Sequence, residues 1–198
     1  MALFELAPPG AEPVSVAEAR GWLRVGHEDE DALIASLIAA ARERVEALTG
    51  LALITRSWRE TLDDWPQRRL SACGQAVRTG AGPLISVEAV RIHDVYGEVS
   101  VWSPDEYRVE PGDPGRIIAV QPFALPRPGR RAGGIEIDFT AGFGAAWADI
   151  PPDLAQAVLL LAAEYHTARS GERPDMPGAV AGLIAAWQPV RVTAGGHR

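Results

Sequence analysis

The sequence predicts an α+β fold, mainly a helical bundle with a small antiparallel β region inserted between the second and third helices. Apolar residues recur at helical spacing before residue 50 and again after residue 150, whereas the stretch between them alternates with period two and is rich in turn residues. A length of 198 residues, 47% of them hydrophobic, suits one domain with a sizeable core. The expected parts of this single domain are helical segments 14–50 and 150–188, a β insertion 53–140 and a mobile C-terminal tail 189–198.

The first helix is predicted from a capping box. Ser15 stands three residues before Glu18, so each side chain can bond the backbone N–H of the other residue. The helix that follows should extend to about Leu23. The acidic run 28–31 then favours the start of a second helix, because carboxylates stabilise the positive end of the helix dipole.

The second helix has the clearest pattern in the chain and should end at Gly50, a residue suited to a left-handed cap. Arg42 and Glu46 fall on the opposite side from the apolar stripe, so we expect them on a solvated face. The apolar stripe consists of Leu33, Ile34, Leu37, Ile38, Ala41, Val45 and Leu48.

The β region is predicted from short alternating runs separated by turn residues. Tyr96-Gly97 and the segment 111–115 are hairpin turns, and 73–83 is expected to be a loop. Short strands joined by hairpins indicate an antiparallel sheet. The predicted strands are 54–62, 87–92, 99–102, 107–110, 116–120 and 135–140.

The third helix should begin at 150–153, where proline is tolerated in the first turn, and a last short helix should cover about 177–187. Leu160 falls on the polar face of the third helix, beside Glu164. An apolar residue on that side indicates a second buried contact, made either with a partner or with the β region of the same chain.

The charge balance argues against general affinity for nucleic acid. The 19 basic residues are all arginine, and 26 acidic residues give a net charge of −7. The basic cluster Arg127, Arg130 and Arg131 could contact DNA or an acidic partner, or it could be a solvated loop kept open by proline and glycine.

The search for catalytic chemistry gives no constellation. Cys73 is the only cysteine, so an internal disulfide is impossible and a cysteine-based zinc site is disfavoured. His93 and Asp94 are neighbours on a strand and should point to opposite faces. We therefore expect no catalytic, cofactor-binding or metal-binding residues. A small hydrolase using His93 or Cys73 and a ligand-binding or regulatory α+β domain are the alternative functions.

No membrane association is expected. The longest strongly apolar run, 157–163, is far shorter than the roughly 20 residues that a bilayer span needs. The N-terminus lacks the basic start of a secretory signal, so we expect a protein made in a reducing compartment.

Trp187 is the tryptophan that we expect to be most exposed, because it stands next to the tail. Tryptophan and arginine are enriched at the centres of interfaces. Trp187 with Arg191 is therefore a candidate contact for a partner.

The order of these features resembles the head–tail connector (adaptor) proteins of long-tailed phages and of phage-derived gene transfer agents. The opening helix, the long second helix, the strands on both sides of the β region and the helices that follow it all contribute to the likeness. The similar segments are 14–25, 28–50, 53–58, 107–109, 139–144, 150–154, 157–161 and 183–191.

The resemblance implies a structural protein of the particle neck, made in the host cytoplasm, with no cofactor. It implies a ring, commonly of twelve subunits, that docks beneath the portal protein, extends the DNA channel without sequence-specific DNA binding, and receives the next neck (stopper) protein or the tail. The family's portal-docking segment corresponds here to Trp187, Val190, Arg191 and Arg198. Leu160, Glu164, Arg42 and Glu46 are the candidate contacts between subunits, because a closed ring needs two different adhesive faces on each subunit.

Overall fold

The computed structural model describes residues 2–65, 76–121, 125–168 and 176–188. Helices and strands both contribute substantially, so the predicted α+β class is confirmed. The strands are β1 Ala2–Glu5, β2 Arg56–Leu62, β3 Ala76–Arg78, β4 Leu84–His93, β5 Val99–Val101, β6 Tyr107–Glu110, β7 Arg116–Ala119 and β8 Ile135–Ala141. The helices are α1 Val16–Leu23, α2 Asp31–Thr49, α3 Pro152–Thr167 and α4 Gly178–Ile184.

The chain divides into two compact units, a sheet unit of Met1–Ala11 with Leu51–Asp149 and a helical unit of Glu12–Gly50 with Ile150–Arg198. The α-helices lie in the helical unit and the strands of both sheets lie in the sheet unit. The mainly helical bundle with an inserted β region stays a prediction. In the described part of the chain, no helix is both long and apolar enough to cross a membrane.

The helical unit begins with the predicted capping box. The backbone N–H of Glu18 donates to Ser15 Oγ, and Ser15 N–H donates to the Glu18 carboxylate. At the end of α2, Gly50 adopts a left-handed conformation with φ of 75° and caps the helix, as predicted. Local sequence signals therefore set the start of α1 and the end of α2.

The core of the helical unit contains the apolar sides of α2, α3 and α4. Ile34, Ile38, Ala41 and Val45 of the predicted stripe are buried, but Leu33 is 40% exposed because α2 packs along a narrower strip than the sequence pattern indicates. Each large apolar side chain that is fully buried contributes about 1.5–3 kcal/mol. The other helices contribute Leu154, Ala157, Val158, Leu161, Val180 and Ile184.

The sheet unit holds a five-stranded sheet in the order β1-β2-β8-β4-β5 and a three-stranded sheet in the order β3-β7-β6. Every pair of neighbouring named strands is antiparallel, as predicted. β1 was not predicted, and β3 lies in a segment where a loop was expected. Both strands are short, so their own sequences carry little strand signal.

The core of the sheet unit is organised around β8, the central strand of the larger sheet. Ile135, Ile137, Phe139 and Ala141 are buried, whereas the intervening residues of β8 lie on the opposite, more accessible face. Buried residues of both sheets, among them Val77 of β3, join the same apolar cluster.

Candidate assembly surfaces

The end of the last helix is tied to α3. A short 3₁₀ turn, Ala185–Trp187, continues α4, and Trp187 Nε1 donates to Asp153 Oδ2 at 2.7 Å. Trp187 is half-buried, whereas Trp22 and Trp147 are exposed, so the expectation that Trp187 is the most exposed tryptophan is wrong. The hydrogen bond to Asp153 draws the indole against its own unit.

The other three portal-docking candidates, Val190, Arg191 and Arg198, lie outside the described residues, as does the predicted tail 189–198. The structure therefore locates only the start of this segment, at Trp187 and Gln188.

Arg42 lies at the centre of a buried ion cluster and not on a solvated face. Its guanidinium is 2.9 Å from Glu12 Oε2 and 3.0 Å from Glu46 Oε2, and the whole residue is only 4% exposed. Burial by itself lowers the pKa of Arg42, but the hydrogen bond to Glu12 and the charges of Glu46 and Glu12 outweigh it, so the net shift is upward. The expectation that Arg42 and Glu46 face solvent is wrong, because Glu12 precedes α1 and covers that side of α2.

Leu160 and Glu164 are both half-buried residues of α3. They are one helical turn apart and so share a face of the helix. Part of each side chain therefore remains accessible to a partner.

The arginine-rich loop leaves its three guanidinium groups in solvent while its backbone is held in place. Arg127, Arg130 and Arg131 are exposed, and no ion pair joins them to the described residues. The backbone N–H groups of Gly129 and Arg130 both donate to the carbonyl oxygen of His93, at the end of β4. The loop therefore presents positive charge from a fixed position.

Gly129 allows this close approach between the loop and the end of β4. A Cβ atom at position 129 would lie 2.5 Å from the backbone nitrogen of Val95, closer than any real contact. The pairing of the loop with β4 therefore requires glycine at this position.

Of the candidate enzyme residues, the structure describes His93 and Asp94. His93 is buried, and its Nε2 lies 3.3 Å from Glu136 Oε1 without forming a hydrogen bond. Asp94 Oδ1 accepts the backbone N–H groups of Tyr96 and Glu98, so this carboxylate stabilises the β4–β5 turn. Cys73 lies outside the described residues, within which no group of three His, Cys, Asp or Glu side chains could hold a metal ion.

An ion-pair network on the accessible face of the larger sheet was not predicted. Asp138 of β8 accepts two hydrogen bonds from Arg59 of β2, at 2.7 and 2.8 Å, and one from Arg91 of β4, at 2.7 Å. The hydrogen bond from Arg59 is the largest influence on Asp138 and, with Arg91, holds the pKa of this carboxyl below its ordinary value. The period-two pattern of β8 placed Asp138 on this face, but its partners become known only once the strand order is known.

The two outermost strands of the same sheet carry exposed apolar side chains, a second feature that sequence reasoning missed. Phe4 of β1 is 53% exposed, and Val99 and Val101 of β5 are 51% and 62% exposed. Tyr96, in the turn before β5, is 90% exposed. Scattered exposed apolar residues are ordinary, but apolar side chains on both free edges of one sheet indicate contact surfaces.

Comparison with known proteins finds a family model that matches the first part of the chain and solved structures that match nearly all of it. The family model described as "Phage gp6-like head-tail connector protein" matches residues 13–76. A structure described as "Neck of empty GTA particle computed with C6 symmetry" contains a chain that is 37% identical, with a TM-score of 0.81, over 98% of this chain and 99% of that one. This chain belongs to the head–tail connector family.

Two further neck and virion structures are similar to this connector at the same identity and coverage. One is described as "Virion of native gene transfer agent (GTA) particle", with a TM-score of 0.82, and the other as "Neck of native GTA particle computed with C12 symmetry", with a TM-score of 0.78. No curated protein matches the connector in sequence. The connector is a structural adaptor in the neck of a phage-like particle.

Proposed function

We propose that twelve copies of this connector form a ring beneath the portal, extend the DNA channel and receive the next neck (stopper) protein or the tail. The observation that carries the proposal is the likeness over nearly the whole chain to a neck protein in a structure computed with C12 symmetry. In this proposal the chain acts as one adaptor domain, with the sheet unit inserted into a helical core between α2 and α3, and it works without catalysis.

The portal-docking element in this proposal is the C-terminal segment that begins at Trp187. Asp153 holds the indole by a hydrogen bond and so fixes the point where residues 189–198 leave the helical unit. A fixed starting point lowers the entropic cost of placing a tail on a partner. Val190, Arg191 and Arg198 would then make the contacts with the portal.

The test is a truncation after Gln188, which removes the tail and keeps Trp187. We expect the truncated connector to remain folded, as judged by circular dichroism, and to lose co-purification with the portal protein of the same particle. The matched control replaces residues 189–198 with a Gly/Ser segment of equal length, which should also fail to bind. Full portal binding by either variant would refute docking through the tail.

Contacts between subunits are proposed to include Leu160 and Glu164 on α3. The structure favours these two over Arg42 and Glu46, which already pair within one subunit. Leu160→Arg should prevent ring formation, whereas Leu33→Arg, at an exposed leucine of the same unit, should not. Normal rings from Leu160→Arg would remove α3 from the interface.

The arginine-rich loop is proposed to contact a negatively charged partner in the assembled neck, either the DNA in the channel or an acidic surface of the next neck protein. Its three arginines are exposed, and its backbone is fixed to β4. A triple Arg→Gln variant at 127, 130 and 131 should weaken one of these two associations and reduce its salt dependence. The control carries the same charge change at the exposed residues Arg44, Arg78 and Arg108. Equal behaviour of the two triple variants would contradict the proposal.

A further inference from the structure

β1 and β5 are the outermost strands of the larger sheet, and no strand of the described residues pairs with the outer edge of either. Both edges are largely apolar. Soluble proteins usually protect such edges with charged residues or proline, since an open edge can pair with another strand. β5 contains neither, and the one charge on β1, Glu5, is directed at Arg56 of the same unit, 3.2 Å away.

The edge of β1 presents the backbone groups of Leu3 and Glu5. The N–H of Leu6 donates to the carbonyl oxygen of Ser57 in β2, so the backbone groups of Leu6 point toward β2. The backbone groups of Phe4, two residues earlier, point toward β2 as well. Because successive residues alternate, the N–H and C=O groups of Leu3 and Glu5 point away from the sheet. Two residues of β1 are thus open to an added strand.

The edge of β5 presents the backbone groups of Val99 and Val101. The N–H of Trp102 donates to the carbonyl oxygen of Val90 in β4, so the backbone groups of Trp102 point toward β4 and those of Val101 point away from the sheet. By the same alternation the backbone groups of Val99 also point away from the sheet. The two edges therefore offer equal numbers of open backbone groups.

The two edges also match in side-chain face. Phe4 pairs with Arg59, and Val101 pairs with Arg91, and directly paired residues share a face of the sheet. Arg59 and Arg91 both bind Asp138, so Phe4 and Val101 lie on the same face. Joining β5 of one copy to β1 of the next would set an aromatic side chain beside a β-branched one.

The strand directions decide the sense of that pairing. Four successive antiparallel pairings separate β1 from β5, so the two strands run in the same direction. In a parallel pair, a residue whose backbone groups point toward the partner strand does not bond to the residue directly across from it. Its N–H and C=O instead bond to the two neighbours of that residue. Val101 can therefore bond to Leu3 and Glu5 only when it lies opposite Phe4, the arrangement that the side-chain faces also favour.

We propose that β5 of one copy and β1 of the next pair in parallel, with Phe4 opposite Val101 or Val99, so that the sheets of neighbouring copies join. A second copy fits because a closed ring needs two different, complementary surfaces on each subunit, and the two edges of one sheet are such surfaces. The inference rests on the proposed ring and adds to it the strands that close it.

The test is disulfide trapping in a Cys73→Ala background, with the connector mixed with the portal protein. Facing positions on adjacent strands are within the distance that a disulfide can bridge. Phe4→Cys combined with Val101→Cys or with Val99→Cys should yield a ladder of covalent multimers under mild oxidation. The control combines Phe4→Cys with Val120→Cys, at an exposed valine that belongs to neither edge strand, and should yield no ladder.

A second measurement separates this proposal from the proposed function. Val101→Lys places a charge on the β5 edge, while Val120→Lys is the matched control; electron microscopy should show rings for the control only. Rings from Val101→Lys, or rings of the cysteine pairs that form no ladder, would overturn the strand pairing and leave the adaptor function intact. A wild-type connector that stays monomeric and does not bind the portal would overturn both.

Discussion

Replacing Arg42 with alanine should destabilise the helical unit by about 3 kcal/mol. The substitution leaves the carboxylates of Glu12 and Glu46 close together without their shared cation. Breaking a buried ion pair from one side costs about 3–5 kcal/mol. The lower end applies here because the Glu12 side chain is 31% exposed and is partly screened by water.

The assay is urea unfolding followed by far-UV circular dichroism. With a slope of about 2 kcal/mol per molar urea, the midpoint of the helical transition should fall by about 1.5 M. The triple variant Arg42→Met, Glu12→Gln, Glu46→Gln removes every charge of the cluster and should recover most of that loss, because replacing a whole buried ion cluster is often close to neutral. A loss below about 1 kcal/mol for Arg42→Ala, or no recovery in the triple variant, would show that the cluster does not behave as a buried ion pair.

Three other substitutions test the sheet and the last helix. Asp138→Asn should cost about 2 kcal/mol at neutral pH, since it removes charged hydrogen bonds from Arg59. The pKa of Asp138 is depressed in the folded state, so its contribution to stability is present above the unfolded-state pKa of about 4 and is lost as the pH falls through the folded-state pKa. The difference in the free energy of unfolding between wild type and Asp138→Asn, measured by urea unfolding, should therefore shrink on acidification. A difference that stays constant with pH would contradict the pairing. Gly142→Ala should cost about 2–3 kcal/mol, because φ is 144° and the new Cβ would lie 2.4 Å from the backbone of Thr55. Gly182→Ala, inside α4 with open space around it, should instead stabilise the helix by about 0.5–1 kcal/mol. The thermal midpoint should therefore fall for Gly142→Ala and rise for Gly182→Ala, and a shift in the opposite direction would refute the argument for that variant.

Features set by neighbouring residues could be predicted from the sequence. The capping box at Ser15, the glycine cap of α2 and the β6–β7 hairpin each depend on residues within a few positions of one another, and all three are found where they were expected. The class of the fold follows from the same local periodicities.

Features set by distant residues could not be predicted. Helical spacing alone places Arg42 on the polar side of α2, but Glu12, thirty positions away, decides that this side is covered. β1 is recognisable only through its pairing with β2, and Trp187 is drawn in by Asp153. The sheet edges escaped prediction for the same reason, since a strand becomes an edge only through the order of the others.

The strand order also affects how the connector is made in the cell. β8 occupies the middle of the larger sheet, between β2 and β4, yet it is the last of the sheet's strands to be synthesised. Until it emerges from the ribosome, β2 and β4 each lack the strand that pairs with the backbone groups of one edge, and such unpaired strands favour aggregation. Lower temperature, which weakens hydrophobic association, should therefore raise the soluble yield, and fragments ending before β8 should bind chaperones far more strongly than the full chain.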